Sequence, residues 1–525
     1  MRKLLFDFIG NKNRWVTLIL LSCLFPAVTP SAADEQCFAD YKASRYRMLD
    51  QALKARKDQL ISYILEIQGK ANKVREDNFC INFFKIMNAF QALKETGRLT
   101  PASIRKTETL KEQFKEHYIF FYHYFYDVLF INPRGDIFYT IREQKDYLKN
   151  IFKPPLDETA LAQKMQSVPS ESFVDFQFYK ISGEPSAFFI EPVQDENGLY
   201  GWIVLQFSIN RINDMFAREQ EMGETGEIFL VNHDHYMLTD SRFRAESTIL
   251  RKQLAYENIS SKFAAGKGHK EVTDYRGQKV ISSFEVFDFL DSQWLLIAKM
   301  DEAEIFTQYY RGHPEALQTA VKRCLAYQPR YTPGELKFDG GLEVDMDEFK
   351  RTDTDQILYT HGIAQCTAVI IKYPGKFTYF AHISPYDRVY GETRTDLISN
   401  MLKKIEYLEI TASEKQRLRF FIISPRETAF YNIVQKLLDH GYFLSQVVLM
   451  HNPVAQHANM KCTGQDNNVL VAWKMNDGRY QLERAAERES LQSQIEGLSP
   501  SEKKPPSDKC FWGAVLFRNT SLIAR

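Results

Sequence analysis

The chain has 525 residues, of which 44% are hydrophobic and 14% aromatic, so it is a globular protein of several domains rather than a disordered chain. Its 67 basic and 67 acidic residues cancel, which gives no electrostatic reason to expect nucleic-acid binding, since that binding requires basic patches. We therefore expect no nucleic-acid partner.

The first 33 residues have the pattern of a secretory signal peptide. Four basic residues within 1–14 precede an apolar run of about fifteen residues, and small residues around Ala33 provide a cleavage site. We expect cleavage after Ala33 and a periplasmic or secreted location. The alternative is an uncleaved inner-membrane anchor over residues 15–29, and only in that case is a membrane contact expected. The apolar run is short for a spanning helix, which needs about 20 residues.

The cysteines that follow the signal segment lie in a compartment that permits disulfides. Sequence spacing does not determine the connectivity. Proximity along the chain suggests two pairs, which are Cys37 with Cys80 and Cys462 with Cys510. These pairs leave Cys324 and Cys366 either as thiols or joined to each other.

Residues 38–75 predict one long amphipathic helix, because they contain no proline and place apolar residues at helical spacing. A second helical stretch follows at about 83–118. The pattern then changes to short β-rich runs. Residues 127–141 predict a hairpin, with Asn132-Pro133-Arg134-Gly135 as its turn.

A strand pair at 186–193 and 198–209 completes this first set of β-elements. The same order recurs about one hundred residues later, with a strand, a polar turn and a second strand at 226–241. Strands at 270–287 and 292–301 complete the second set, and Asp274-Tyr275-Arg276-Gly277 is interpreted as a structural hairpin turn. The repeat predicts two small antiparallel-sheet modules behind one long helix.

The residues of this region resemble the double Cache sensor domain of bacterial chemoreceptors and sensor kinases. The segments that carry the resemblance are "PSAFFIEPVQDENGLYGWIVLQFSINRINDMF", "GETGEIFLVNHDHYMLTDSRF", "DYRGQKVISSFEVF" and "WLLIAKMDEAEIF". The resemblance implies a sensor domain over 34–308 with two PAS-like modules. In that family a small molecule binds the membrane-distal module, here about 85–210, and the membrane-proximal module is about 211–308.

The resemblance also places Asp175 and Tyr179, in "VDFQFY", where Cache sensors contact their ligand. A carboxylate at this place pairs with a ligand amine, and an aromatic ring packs against the ligand. The alternative for Asp175 is that it caps a turn. The chain lacks the Arg-x-Trp-Tyr signature of the amino-acid-binding subgroup, so the class of small-molecule ligand stays open.

Residues 309–345 contain three prolines and a Gly-Gly pair, and are expected to form a linker. The domain that follows, 346–525, alternates apolar strands with helices at 395–410 and 428–441, which predicts an α/β layer. The polar segment 476–509 is expected to be an excursion before a last strand, "FWGAVLF". The fold class of the whole chain is therefore α+β.

Cys366 opens one predicted strand of this domain and His382 ends the next, with a short turn between them. Antiparallel pairing of two strands of nearly equal length would bring the two residues together. A histidine base can then activate the cysteine thiol, and backbone amides of the 362–366 turn can stabilise an oxyanion. The alternative is a structural pair, because free cysteine is often buried.

Thr360, Gly362, Cys366 and His382 form the pattern T-x-G-x-x-x-C followed sixteen residues later by His. This pattern resembles the chemoreceptor glutamine deamidase CheD and, more distantly, N-terminal asparagine amidohydrolases and the deamidase domain of cytotoxic necrotizing factors. The resemblance implies that Cys366 is the nucleophile, His382 the general base and Thr360 the third member.

That resemblance implies hydrolysis of a side-chain or terminal amide, with a protein as partner or substrate and without a cofactor or metal ion. The sequence departs from the deamidases in two places. The Gly-Gly pair of a later strand is missing from "FFIISPRETAF", and "GIAQC" lacks the second turn glycine. The alternative function is therefore a non-catalytic ligand-binding protein whose last domain is a scaffold for a partner.

Overall fold

A computed structural model describes the chain in two compact units. One unit is Ala43–Glu302, and the other combines the described residues of Met1–Lys42 and Ala303–Arg525. Most of the expected signal peptide, the expected anchor at 15–29 and the expected last strand lie outside the described residues. The described ranges are 32–117, 124–167, 172–196, 198–217, 222–325, 332–333, 337–385, 397–452, 458–463, 468–474 and 479–498.

The long helix predicted near the amino terminus is confirmed as α1, Ala32–Glu76. Two shorter helices follow it, α2 (Asn78–Glu95) and α3 (Pro101–His117). The second predicted stretch is thus divided in two. Gly97 adopts a left-handed φ of 67° and Pro101 begins α3, and both features interrupt a continuous helix.

The first module is a five-stranded antiparallel sheet in the order β2-β1-β5-β4-β3. Aromatic residues of α2 and α3 cover one face, where the rings of Phe83 and Phe114 stack at 4.0 Å. The short helix α4 (Ala160–Ser167) packs into the apolar core on the other face, and α5 (Asn210–Ala217) follows the sheet. The strands are β1 Asp127–Ile131, β2 Ile137–Thr140, β3 Ser172–Tyr179, β4 Glu184–Asp195 and β5 Gly198–Ser208.

The second module repeats this plan with four strands in the order β6-β9-β8-β7 and with helix α6 (Tyr256–Ala265) against them. Residues 236–241 were expected to form a strand but make only isolated bridges. After the left-handed His235 (φ 67°) the chain turns back along β6, where Met237 bridges Val231 and Leu238 donates to the Leu230 carbonyl oxygen. The amide of Met237 donates to Lys252 instead of to β6, so no continuous strand forms. The strands are β6 Glu227–Asn232, β7 Lys267–Thr273, β8 Lys279–Phe289 and β9 Ser292–Asp301.

The other unit begins with helices α7 (Glu302–Gly312) and α8 (Pro314–Cys324). The second of these lies in the segment that was expected to be a linker. Its apolar residues recur at helical spacing, and Leu317, Val321 and Cys324 are buried in the core of this unit. These residues therefore belong to the domain that follows them.

Two sheets form the centre of this unit. One has six strands in the order β10-β20-β19-β18-β13-β11, and the other has five in the order β12-β15-β14-β16-β17. The six are β10 Thr332–Pro333, β11 Leu342–Glu343, β13 Ile357–Thr360, β18 Ala458–Thr463, β19 Val469–Lys474 and β20 Tyr480–Arg484. The five are β12 Glu348–Thr352, β14 Thr367–Tyr373, β15 Phe377–Ile383, β16 Arg419–Ser424 and β17 Val447–His451.

The five-stranded sheet is buried on both faces. Ala368, Ile370 and Phe380 pack against the six-stranded sheet, whereas their neighbours along the strands pack against helices. Three layers result. The remaining helices are α9 Leu397–Glu406, α10 Ala412–Lys415, α11 Glu427–Asp439 and α12 Leu491–Leu498.

The polar segment 476–509 is not simply an excursion, because its described part contains strand β20 and helix α12. Leu491 and Ile495, one helical turn apart, are buried in the same core as α8. Two apolar residues among many charged ones are a weak signal for a buried helix. The overall polarity of the segment outweighed this signal in the sequence.

The expected disulfide between Cys37 and Cys80 is wrong. No disulfide forms among the cysteines that the structure describes, which are Cys37, Cys80, Cys324, Cys366 and Cys462. Cys37 lies in the first turns of α1, whereas Cys80 is buried in α2. Cys462 carries a thiol as well, and its expected partner Cys510 lies outside the described residues.

Candidate functional site

Cys366 and His382 lie on the same face of the five-stranded sheet. In the β14–β15 pair, Ala368 is opposite His382 and Thr367 is opposite Ile383. Cys366 directly precedes β14, and extending the register by one residue places it diagonally opposite His382, at roughly 7–8 Å between Cα atoms. Cys366 belongs to the apolar cluster between the two sheets. The register therefore directs both side chains into that layer.

Thr360 reaches His382 from the other sheet. Its Oγ1 lies 2.8 Å from His382 Nδ1 and 2.7 Å from the carbonyl oxygen of Val344. A carbonyl oxygen only accepts, so the hydroxyl proton goes to Val344 and the Thr360 oxygen accepts from Nδ1–H of His382. This hydrogen-bond network assigns the tautomer in which Nε2 of His382 carries the lone pair.

Nε2 of His382 is buried, and among the described residues it has no hydrogen-bond partner. Burial lowers the pKa of His382, and the nearby Asp347 and Asp345 oppose that effect. A neutral imidazole with an unshared nitrogen is the form that accepts a proton from a nucleophile. His382 is therefore in the protonation state in which its Nε2 can accept a proton.

The thiol of Cys366 is 5% exposed. Burial raises its pKa, Asp347 acts in the same direction, and the guanidinium of Arg426 acts in the opposite one. The resting pair is therefore a neutral thiol and a neutral imidazole rather than a thiolate and an imidazolium. Reaction at this cysteine requires proton transfer to His382 during attack.

Three further residues support the site and were not found in the sequence. Asp347 donates its backbone N–H to the His382 carbonyl oxygen at 2.7 Å and accepts from the Ser384 amide at 3.0 Å. The side chain of Asn452 donates to the Ile363 carbonyl oxygen, which fixes the turn before Cys366. Arg426 is the residue before α11, and its charge acts on the thiol. Asn452 directly follows the apolar strand β17, which is a usable sequence signal, whereas Asp347 precedes the polar strand β12 and Arg426 is separated from β16 by Pro425.

The turn at 362–366 was expected to supply oxyanion-binding amides. Gly362 has a left-handed φ of 68°, and the amide of Ala364 donates to the Gly362 carbonyl oxygen at 2.7 Å. That amide is therefore engaged within the turn. An oxyanion role for the other amides of the turn stays a prediction.

Asp175 and Tyr179 do not share a pocket in the first module. They lie four residues apart on β3, which would place them on one face of a regular strand. A register shift between Val174 and Gln177 inserts a bulge and reverses the alternation. Both carboxylate oxygens of Asp175 instead lie 3.0 Å from Nε1 of Trp294 in the second module. Burial raises the pKa of Asp175 to about 6.

Tyr179 faces the apolar core of the first module, where its hydroxyl donates to Asp146 at 3.0 Å. Asp127 is electrostatically coupled to both groups. Each of the two aspartates is almost fully buried and has one carboxylate oxygen without a hydrogen-bond partner among the described residues. Burial raises the pKa of Asp127 to about 7 and also raises that of Asp146.

The turn residues Asp274 and Arg276 do more than close a hairpin in the second module. Gly277 has the expected left-handed φ of 82°. Asp274 accepts from Arg276 Nε at 2.7 Å and pairs with Lys299, which also lies 3.0 Å from Glu227. The hydroxyl of Tyr275 donates to the same glutamate. These residues form a buried ionic network next to α6. The sequence did not predict it, because Asp274-Tyr275-Arg276-Gly277 has the composition of an ordinary hairpin turn.

A family model described as "Cache domain" matches residues 46–309, which is half of the chain. This chain belongs to the Cache domain family. Cache domains are ligand-sensing domains outside the cytoplasm, so the fold of two antiparallel-sheet modules behind α1 is an extracytoplasmic sensor domain. Among the helices that the structure describes, none is both long and apolar enough to span a bilayer.

Several solved Cache structures are similar to this one at low identity. The ligand-binding domain of the Pseudomonas fluorescens chemoreceptor CtaA, in complex with L-isoleucine, is 14% identical, with 53% of this chain and 100% of that chain covered and a TM-score of 0.34. The ligand-binding domain of the Pseudomonas aeruginosa PAO1 amino acid chemoreceptor PctB, in complex with L-Arg, is 15% identical, with coverages of 47% and 89% and a TM-score of 0.30.

No curated protein matches the chain. The Cache match ends at residue 309, so Cys366, His382 and Thr360 lie outside it. The chemistry of the second unit therefore has to be argued from its own residues.

Proposed function

We propose that this chain is an exported Cache-type sensor whose second unit hydrolyses an amide through Cys366. The sensing part follows from membership of the Cache family. The hydrolytic part is supported by one observation above all, which is that Thr360 accepts from Nδ1 of His382 while its own proton is committed to Val344. This arrangement leaves Nε2 as the only basic nitrogen of the imidazole.

The proposed reaction has two halves. As the Cys366 sulfur attacks the carbonyl carbon of the amide, its proton passes to His382 Nε2. The imidazolium then protonates the leaving nitrogen, the C–N bond breaks, and a thioester and ammonia or an amine result. Water attacks the thioester with His382 as base, which releases the carboxylate and restores the thiol. The balance is one amide and one water consumed for one carboxylate and one amine.

The substrate class follows from the resemblance to CheD. The order Thr360, Gly362, Cys366 and His382 matches that family's pattern, which supports a side-chain or terminal amide of a protein as substrate. Because this chain lacks glycines that the deamidases have, its substrate can differ from theirs, while the reaction remains hydrolysis of an amide. Neither the ionic groups nor the hydrogen bonds of the site require a cofactor for this reaction.

The experiment uses the full chain with Cys366→Ala and His382→Ala variants. Ammonia release from glutamine-containing and amidated peptides is measured, together with the rate at which iodoacetamide alkylates each cysteine. We expect ammonia release by the wild type alone, and faster alkylation of Cys366 than of Cys324, whose pKa burial raises to about 12. His382→Ala is expected to remove that difference in rate.

The second candidate is a non-catalytic scaffold. It is favoured by the small exposure of Cys366 and by the burial that raises the pKa of its thiol. Equal and slow alkylation of Cys366 in the wild type and in His382→Ala, with no ammonia released, would support the scaffold and contradict the hydrolase.

A further inference from the structure

A small cavity of about 80 Å³ lies in the second Cache module, between α6 and the sheet. One water molecule needs roughly 10–15 Å³ of such space, so the cavity admits several water-sized groups. One end is polar, where Lys262 and Asn258 of α6 line it. The rest of the wall is largely apolar and includes Phe229, Leu254, Ile259, Val280 and Ile297.

Lys262 is the unusual group in this cavity, because its side chain is 1% exposed. Its ammonium donates to the side-chain oxygen of Asn258 and lies 5.6 Å from the centre of the Phe284 ring. Within the part of the chain that the structure describes, no carboxylate lies within 4 Å of it. A buried ammonium that has a neutral hydrogen-bond partner and the like charge of Lys270 nearby is costly, and an anion is the partner that removes this cost.

The carboxylate that lines the cavity is already paired. Asp274 is among the lining residues, and its carboxylate is paired with both Arg276 and Lys299. This pairing weakens its repulsion of an incoming anion.

We propose that this cavity binds a small aliphatic monocarboxylate. The carboxylate contacts the ammonium of Lys262 and the side-chain N–H of Asn258, whose oxygen already accepts from that lysine. The short alkyl tail packs on the apolar wall. The ammonium of Lys262, which has a neutral hydrogen-bond partner and no carboxylate partner among the described residues, favours a single negative charge. The inference is independent of the proposed hydrolase, since it involves other residues in the other unit.

The test is thermal unfolding of the full chain during titration with sodium acetate and sodium propionate at pH 7. Sodium chloride at equal ionic strength is the reference. Lys262→Met removes the charge with little change in volume, and Lys267→Met is the matched control, because Lys267 is an exposed lysine of the same module that pairs with Glu285 and does not line the cavity. We expect a saturable rise in unfolding temperature for the wild type and for Lys267→Met. Lys262→Met should require at least tenfold more ligand.

Calorimetry of the wild type gives a second readout that does not depend on the folding of any variant. Burial, followed by the charge of Lys270, lowers the pKa of Lys262 to about 8, and a bound anion would raise it again. Binding at pH 8 should therefore take up protons, seen as a dependence of the heat on the ionisation enthalpy of the buffer. The proposal fails if no saturable response occurs, if chloride gives the same response, or if Lys262→Met binds as tightly as the wild type.

Discussion

At the scale of single residues, Thr360 is the side chain on which the chemistry of the second unit depends. It does not face a reacting atom itself. Its hydroxyl links the Val344 carbonyl to His382 Nδ1 and so fixes which imidazole nitrogen is basic. In this arrangement Thr360 is a positioning residue, and its removal should alter the base rather than the nucleophile.

Thr360→Val keeps the shape of the side chain but removes the acceptor. Without it His382 can carry its proton on either nitrogen, so the rate of amide hydrolysis and of Cys366 alkylation should fall by roughly 100-fold, with a changed pH profile. The buried Thr352 provides the control, since Thr352→Val removes a hydroxyl elsewhere in the same unit. Equal rates for wild type and Thr360→Val would contradict the assigned role.

Asp127 makes the stability of the first module depend on pH. Burial raises its pKa to about 7, whereas an unfolded aspartate titrates near about 3.9. The folded state therefore favours the neutral acid. This contribution is fully present below about pH 4 and is lost as the pH rises toward about 7, above which it changes no further.

Asp127→Asn does not titrate and keeps an oxygen for the backbone amides of Val128, Ile141 and Arg142. Its free energy of unfolding should exceed that of the wild type at pH 8 by roughly 1–3 kcal/mol and equal it near pH 4.

Asp136→Asn is the contrasting variant. Burial acts to raise the pKa of Asp136, but hydrogen bonds from Asn150 and Asn132 outweigh burial and lower it. The folded state therefore favours the charged carboxylate, and the variant should be less stable than the wild type at pH 8. Chemical denaturation at the two pH values measures both.

At the scale of elements, α8 shows how a segment read as a linker becomes part of a core. Prolines and Gly-Gly elsewhere in 309–345 suggested a flexible connection, but Pro314 starts the helix at a position where proline is well tolerated. In β3 a regular sequence pattern was misleading instead. The alternation of the strand predicts one face for Asp175 and Tyr179, but one extra residue in the bulge turns them to opposite faces.

Leu317 of α8 is fully buried in the core of the second unit. Leu317→Ala should lower the free energy of unfolding of that unit by about 2–5 kcal/mol, because it leaves a cavity among packed side chains. Gln318→Ala, on the exposed side of the same helix, should change it by less than about 0.5 kcal/mol. A negligible effect of Leu317→Ala would mean that the segment is a linker after all.

At the scale of the whole molecule, the chain joins an extracytoplasmic sensing domain to a unit with a cysteine and a histidine in one buried layer. A small molecule that binds the folded Cache unit should stabilise it by mass action, by about 2.7 kcal/mol at a ligand concentration one hundred times the dissociation constant. This stabilisation should raise the unfolding temperature. Screening the full chain against amino acids, carboxylates, amines and purines tests this expectation. Failure of every class to shift the transition would count against ligand sensing by this chain.

The sequence by itself determined the elements that repeat and the residues that keep a motif's spacing. The length of α1, the two sheets of the Cache unit and the order Thr360, Cys366 and His382 all follow from local periodicity and turn chemistry, which act over a few residues. Only the tertiary structure decided the rest. A bulge separated Asp175 from Tyr179, α8 became part of a core, and Lys262 was buried beside the sheet, because these outcomes depend on packing between segments distant in the chain.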